Sequence, residues 1–286
     1  MISYSQNCED VLLNRLFPEN YRGFYVDVGA CHPTVGSVTA HFYSCGWSGI
    51  NVEPSCNFDL LSRERPRDIN LQVAVSDDTG SADFYEFPGA PGLSTFGRDL
   101  AEFAIHKLGH HCHPRKVPVA TLAEICRTHA DRPIDFLSID VEGHEREVLA
   151  GADFTQFRPR VIVIEATKPH TGDAAYDGWE PLVLSAGYLF AFFDGLNRFY
   201  VRNEDREWIA RLAVPANVFD NFVSHELHAT QVEAQSMKLQ LETLATLRPI
   251  SAALARRLSR VEASLPRVSD LLMRWRQRIS SQTVAR

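Results

Sequence analysis

In IDFLSIDVEGHEREVLAG (134–151) an apolar run ends in Asp140, and Glu142, His144, Glu145, Arg146 and Glu147 follow at once. A second apolar run, PRVIVIEAT (159–167), closes on Glu165. Acids at the ends of two strands, with an imidazole one helical turn past the first, could converge on a bound hydroxyl. A hydroxyl is a feeble nucleophile at neutral pH, so its attack needs alignment together with a base or a metal. His144 is the natural general base, because an unperturbed imidazole titrates near neutrality. Asp140 and Glu165 complete the catalytic set. The same three side chains could instead hold a divalent ion that acidifies the hydroxyl. The plain alternative makes His144 an exposed residue of a first helical turn. Glu142 is a second candidate, open to either direction. Glu145, Arg146 and Glu147 predict the solvated start of a helix, and Val148 and Leu149 return to the core.

The elements that must position these groups alternate along the chain. Strand-like runs lie at GFYVDVGA (23–30), SGINVEP (48–54), INLQVAVSD (69–77), ADFYEF (82–87), 134–143, 159–167, GYLFAFFDG (187–195) and RFYV (198–201). Helical patterns fall between them at 9–17, 39–46, 56–64, 119–130, 146–152 and 179–187. Strand–helix alternation predicts an α/β fold with a doubly wound sheet. The late pair 187–201, joined by DGLN, predicts an antiparallel hairpin closing it. In such a sheet ligands sit beyond the carboxyl ends of the strands, where strand order reverses. There the first strand ends in Asp27, Gly29 and Ala30, and the second in Glu53. An acid at the second strand's tip can accept both hydroxyls of a ribose. A dinucleotide site would want GxGxxG, with a pyrophosphate on a bare helix N-terminus. Here Asp27 stands two residues before a lone glycine, which repels a diphosphate and suits a cationic cofactor, S-adenosylmethionine.

YSQNCEDVLLNRLF, GFYVDVGACHPTVGSVTAHFYSCGWSGINVEP, VAVSDDTGSADFY, GLSTF and IDFLSIDVEGHEREVLAG, in this order from residue 4 to about 167, resemble the FkbM family of S-adenosylmethionine-dependent methyltransferases. FFDGLNRFYV and PANVFDNFV are similar to segments of family members that serve polysaccharide synthesis. The resemblance implies a class I methyltransferase fold and O-methylation, often of a sugar. It implies that Asp27, Gly29 and Ala30 line the methionine part of the cofactor, and that Glu53 holds the ribose beside Pro54 and Ser55. Val75 and Ser76 would flank the adenine, and Tyr4, Ser5 and Gln6 would fold over the cofactor, with Asp140 also at its edge. Glu9 and Asp10 would begin a helix, where negative charge suits the dipole. Ser94 and Thr95, in GLSTF, are either pocket-lining groups for the acceptor or an ordinary turn. Arg198, beside DGLN, is either a sugar-binding group or part of a tight hairpin.

At 286 residues the chain can bury a full core. The net charge is −7, but nine arginines from Arg248 onward face only Glu262 and Asp270. An acidic body argues against a nucleic-acid-coating protein. The predicted division is a catalytic domain over 1–205 and a helical extension over 206–286. The extension would pack on the body, pair with a second copy, or touch acidic lipid as a basic amphipathic helix. Six cysteines without a CxxC pair predict reduced thiols, and the polar start predicts no signal peptide, hence a cytoplasmic protein. The histidine-rich IHKLGHHCHP (105–114) reads as a loop rather than a zinc site. The expected activity is O-methylation of a sugar hydroxyl of a bacterial surface polysaccharide or its precursor. The alternatives are a secondary metabolite such as a macrolide, or a non-catalytic binding module.

Overall fold

A computed structural model describes residues 1–168 and 171–247, with side chains through residue 240. The chain begins β1 (Ile2–Ser3), α1 (Glu9–Asn14), β2 (Phe24–Val28), α2 (Ala40–Ser44), β3 (Ser48–Val52), α3 (Asn57–Glu64) and β4 (Ile69–Leu71). There follow β5 (Ala74–Ser76), β6 (Gly80–Glu86), α4 (Arg98–His106), β7 (His113–Thr121), α5 (Leu122–His129), β8 (Phe136–Ile139), α6 (Glu145–Ala150) and β9 (Val161–Glu165). The last elements are α7 (Glu180–Ser185), β10 (Tyr188–Phe193), β11 (Asn197–Arg202), α8 (Ile209–Leu212), β12 (Val223–Ser224) and α9 (His225–Leu247).

All five residues of β2 are buried. Phe24, Val26 and Val28 join one apolar cluster with Leu122, Ile125, Val148 and Val183, from the helices on one face. Tyr25 joins another with Leu12, Leu13, Leu16, Phe42 and Leu212, from the opposite face. A strand covered on both sides must read as a near-continuous apolar run. Each fully buried Val, Leu or Phe stabilises the fold by roughly 1.5–3 kcal/mol relative to exposure, which sets such strands at the centre.

Seven strands form the main sheet in the order β10-β11-β9-β8-β2-β3-β4. β4, β3, β2, β8 and β9 run parallel. β11 is antiparallel both to β9 and to β10. The chain leaves β2 toward β3 on one side and later resumes on the other with β8, so strand order reverses between β2 and β8. That reversal opens a crevice at their carboxyl ends.

Three elements differ from the sequence reading. The expected strand 69–77 is two: β4 edges the main sheet, while β5 pairs with β7 in a separate sheet of order β5-β7-β6. β7 replaces the expected start of a helix, because the helix begins only at Leu122, capped by the Thr121 hydroxyl accepting from the Glu124 amide at 3.1 Å. Pro114 and Pro118 disguise this strand; both fall outside the 119–121 segment that β5 pairs, where a missing N–H costs no ladder bond with β5. Third, the body runs on to His225. β12 pairs in parallel with β1, and Arg15 grips Asp220 with two bonds of 2.7 Å. Glu226–Arg286 forms a second unit. Its arginine-rich part from Arg248 onward, with the expected lipid contact, lies outside the described residues. Among the described residues no helix is long and apolar enough to cross a membrane, and all six cysteines are free.

Candidate active site

Two cavities meet at the strand reversal. The first, of about 240 Å³, is lined by Asp27, Gly29, Ala30, Glu53, Pro54, Ser94 and Asp140 among others. The second, of about 590 Å³, is lined by Glu165, Thr167, Leu196 and Asp140 among others. Gln6, Gly92, Asp140 and Glu142 border both.

The turn after β2 is built by glycine. Gly29 has φ +86°, and a Cβ there would stand 1.7 Å from the Asp140 carbonyl oxygen. Only a residue without a side chain lets this turn lie against the end of β8. Asp27, buried below it, accepts from the Thr39 hydroxyl at 2.9 Å. Burial pushes its carboxyl up to about 6, against the pull of Thr39 and Arg65. Glu53 is equally buried; its two oxygens accept from the Cys31 and Ser55 amides, each at 2.7 Å. Burial raises its pKa, and those amides restrain the rise. Each carboxylate oxygen keeps a further lone pair, so Glu53 can still accept two hydroxyls.

Asp140 is exposed, but into the cleft. The protein packed around it raises its pKa, and the charges of Glu145 and Glu9 add to the rise. A hydrogen bond with Glu165 works the other way on Asp140 and raises Glu165 further. Desolvation comes first for Glu165, followed by repulsion from Asp140 and Glu142. The two carboxyls therefore share a proton that rests on Glu165 while Asp140 ionises first. Among the described residues Glu165 Oε2 is buried without a hydrogen-bond partner.

His144 is not with them. It occupies the N-cap of α6, its Nδ1 3.6 Å from Glu147 and its ring 5.6 Å from that of Phe96. It lines a small cavity with Gly29, Pro54 and Val75, and an open one of about 470 Å³ with Val75 and Ser76. The expected helical turn between Asp140 and His144 does not exist, because Glu142 and Gly143 both have positive φ and the helix starts only at Glu145. Glu145 corrects the reading in the opposite sense. It is buried, and its carboxylate accepts from the Val141 and Gly143 amides at 3.3 and 3.0 Å, holding the turn.

Thr95 and Arg198 also leave the expected site. Thr95 is buried, bonded through its backbone to Tyr85 and through its hydroxyl to the Gly97 amide. Ser94 does reach the first cavity, while its hydroxyl accepts from the Phe87 amide. Arg198 shares a strand face with Tyr200, two residues on, and that face is covered by α7. Its guanidinium donates to Glu180 at 2.7 Å and to the Tyr200 hydroxyl at 2.8 Å, between the rings of Tyr176 and Phe190. It lines neither cavity. Glu9 and Asp10 do begin α1, and both are buried. Asp10 accepts from Ser3, Ser5 and the Tyr4 amide, and Glu9 from the Asn7 amide and Asn197. Together they pin the segment that brings Gln6 over both cavities. Among the described residues no group of three or more His, Cys, Asp or Glu side chains is gathered to hold a metal. That includes the histidines of 105–114 and the expected set of Asp140, His144 and Glu165.

The family pattern described as "Methyltransferase FkbM domain" matches residues 27–190, more than half of the chain. The chain belongs to the FkbM methyltransferase family. No curated protein matches it. As an FkbM methyltransferase it is an enzyme of methyl transfer, and the matched span opens on Asp27 and takes in Glu53, Asp140, Glu142 and Glu165. Gln6 and Arg198 lie outside that span. The family implies a methyl donor of the S-adenosylmethionine type.

Proposed function

We propose that this FkbM methyltransferase transfers a methyl group from S-adenosylmethionine to a sugar hydroxyl of a bacterial surface polysaccharide or its precursor, in the cytoplasm. One observation carries the reading: Asp140, paired with Glu165, stands at the junction of two cavities, one of which also holds Glu53 and Asp27. The donor set fits the cofactor. Glu53 offers free lone pairs to ribose hydroxyls, and the bare Gly29 turn leaves room for close approach. Val75 and Ser76 line an open cavity with His144 that offers room for adenine. Asp27 and Asp140 complement a positive charge.

S-adenosylmethionine, when bound, supplies a methyl group on a positively charged sulfur. The protein's own part is alignment and proton removal. The acceptor hydroxyl lies in the second cavity against Asp140, whose raised pKa makes it a stronger base than a free carboxylate. Asp140 takes the hydroxyl proton as the oxygen attacks. Glu165, already protonated, donates to Asp140 and holds its carboxylate in place. Gln6, pinned through Asp10 and Glu9, covers the junction and limits water.

Calorimetry with S-adenosylhomocysteine, followed by transfer of labelled methyl to a panel of glycan acceptors, tests the reading. Binding and labelled glycan are expected; folded protein that does not bind S-adenosylhomocysteine sinks it.

A further inference from the structure

We infer that Glu142 is an acceptor-binding residue that selects an uncharged, hydroxyl-bearing group at the junction of the two cavities. The inference rests on the proposed reading of the cleft as a methyl-transfer site. It starts from the backbone. Glu142 has φ +53°, a left-handed conformation that a long side chain rarely adopts outside a site that compels it. The compulsion is visible: Glu145 accepts from the amides on either side, Val141 and Gly143, and fixes the turn. What the turn achieves is placement, since Glu142 lines the first cavity and the second alike.

Its carboxyl is also idle. Among the described residues it makes no hydrogen bond, in contrast to Asp27, Glu53 and Glu145, whose carboxylates are all engaged. Burial and the nearby Asp140 and Glu145 push it up to about 8. At neutral pH it is then mostly the acid form, one O–H donor beside one carbonyl acceptor. A hydroxyl group, which both donates and accepts, is its natural partner. The described lining of the second cavity carries Asp140, Glu142 and Glu165 and neither lysine nor arginine. A carboxylate or phosphate close to the reacting oxygen would meet uncompensated acids there.

The test uses the wild type, Glu142→Gln and Glu142→Asn, each checked for folding by circular dichroism. Asparagine tolerates the left-handed backbone, so it carries the comparison if glutamine fails to fold. Each protein is loaded with S-adenosylhomocysteine, its affinity measured by calorimetry. It is then titrated by saturation-transfer NMR with methyl glycosides of neutral sugars and with the matching uronic acids. KM and kcat follow for any glycoside that accepts labelled methyl. The expected result is S-adenosylhomocysteine affinity within about threefold across the set, with the wild type favouring neutral glycosides by about tenfold or more. In Glu142→Asn, one methylene too short, neutral-glycoside affinity falls about tenfold or KM rises by as much, with a smaller change in kcat, while Glu142→Gln, which keeps a donor beside an acceptor at the same reach, stays within about threefold of the wild type. Unchanged glycoside affinity in Glu142→Asn, equal binding of uronic acids, or no glycoside binding at all overturns the inference. Loss of S-adenosylhomocysteine binding in the wild type is a different failure, that of the methyltransferase reading of the cleft.

Discussion

Gly29 and Asp140 meet backbone to backbone where strand order reverses: a Cβ on Gly29 would lie 1.7 Å from the Asp140 carbonyl oxygen. The turn that opens the first cavity and the residue that borders both cavities are thus locked together.

Gly29→Ala tests this lock. The left-handed φ alone costs on the order of 1 kcal/mol for a residue with a Cβ, and the clash is with backbone, which cannot swing aside. Thermal melting is expected to fall by several degrees, and S-adenosylhomocysteine affinity by at least about tenfold, since the added methyl shifts Asp140. A variant with wild-type melting and affinity would show that the turn relaxes freely.

Asp140 and His144 separate two accounts of proton removal. Asp140→Asn is expected to lower kcat by about a hundredfold or more, the usual scale of a lost general base. His144→Ala is expected to change kcat less than about fivefold and to act on cofactor affinity, because His144 borders the cavities of Val75 and Ser76. Steady-state kinetics on both variants decides. A collapse of kcat in His144→Ala would return the imidazole to the reacting hydroxyl.

The acids at strand tips were legible in the sequence for a physical reason. Strands buried on both faces are apolar until the chain leaves the sheet, so the first charge after the run marks the carboxyl edge. Asp140, Glu53 and Glu165 stand at strand ends as the apolar runs before them imply. Helical spacing from Asp140 to His144 fails because Glu142 and Gly143 both have positive φ, and the Glu-Gly pair is the sequence signal for that break. The burial of Glu9, Asp10 and Glu145 was hidden for another reason. Whether a carboxylate near a helix start is solvated depends on donors elsewhere in space, such as Asn197 for Glu9. Proline-bearing β7 was missed because propensity does not reveal which part of a strand a neighbour leaves unpaired.

Glu142 has a consequence for stability with a definite sign. Its folded pKa, about 8, lies above the unfolded value near 4.5. Between those values the native state binds more protons than the unfolded chain, so its contribution to stability is complete below about pH 4.5 and is lost as pH rises toward 8. Glu142→Gln removes this loss. The variant is expected to gain on the order of 2–4 kcal/mol over the wild type at pH 8, with the gain vanishing near pH 4.5. Urea unfolding of both proteins across that range measures it. A pH-independent difference would mean that the acid is not desolvated.

Arg198 separates a structural role from acceptor binding. Its charge is neutralised by Glu180, and its plane lies between Tyr176 and Phe190. Removing it strands a carboxylate and two ring faces, and charged hydrogen bonds of this kind contribute about 1.5–3 kcal/mol. Arg198→Ala is therefore expected to lower stability by roughly 2 kcal/mol or more while leaving the acceptor KM within about twofold. Lysine would keep the charge but not the planar fork, and should recover only part of the loss. If KM for a glycan acceptor instead rose tenfold at unchanged stability, the guanidinium would have to leave Glu180 and reach into the second cavity, and the packing of β11 under α7 would not be its role.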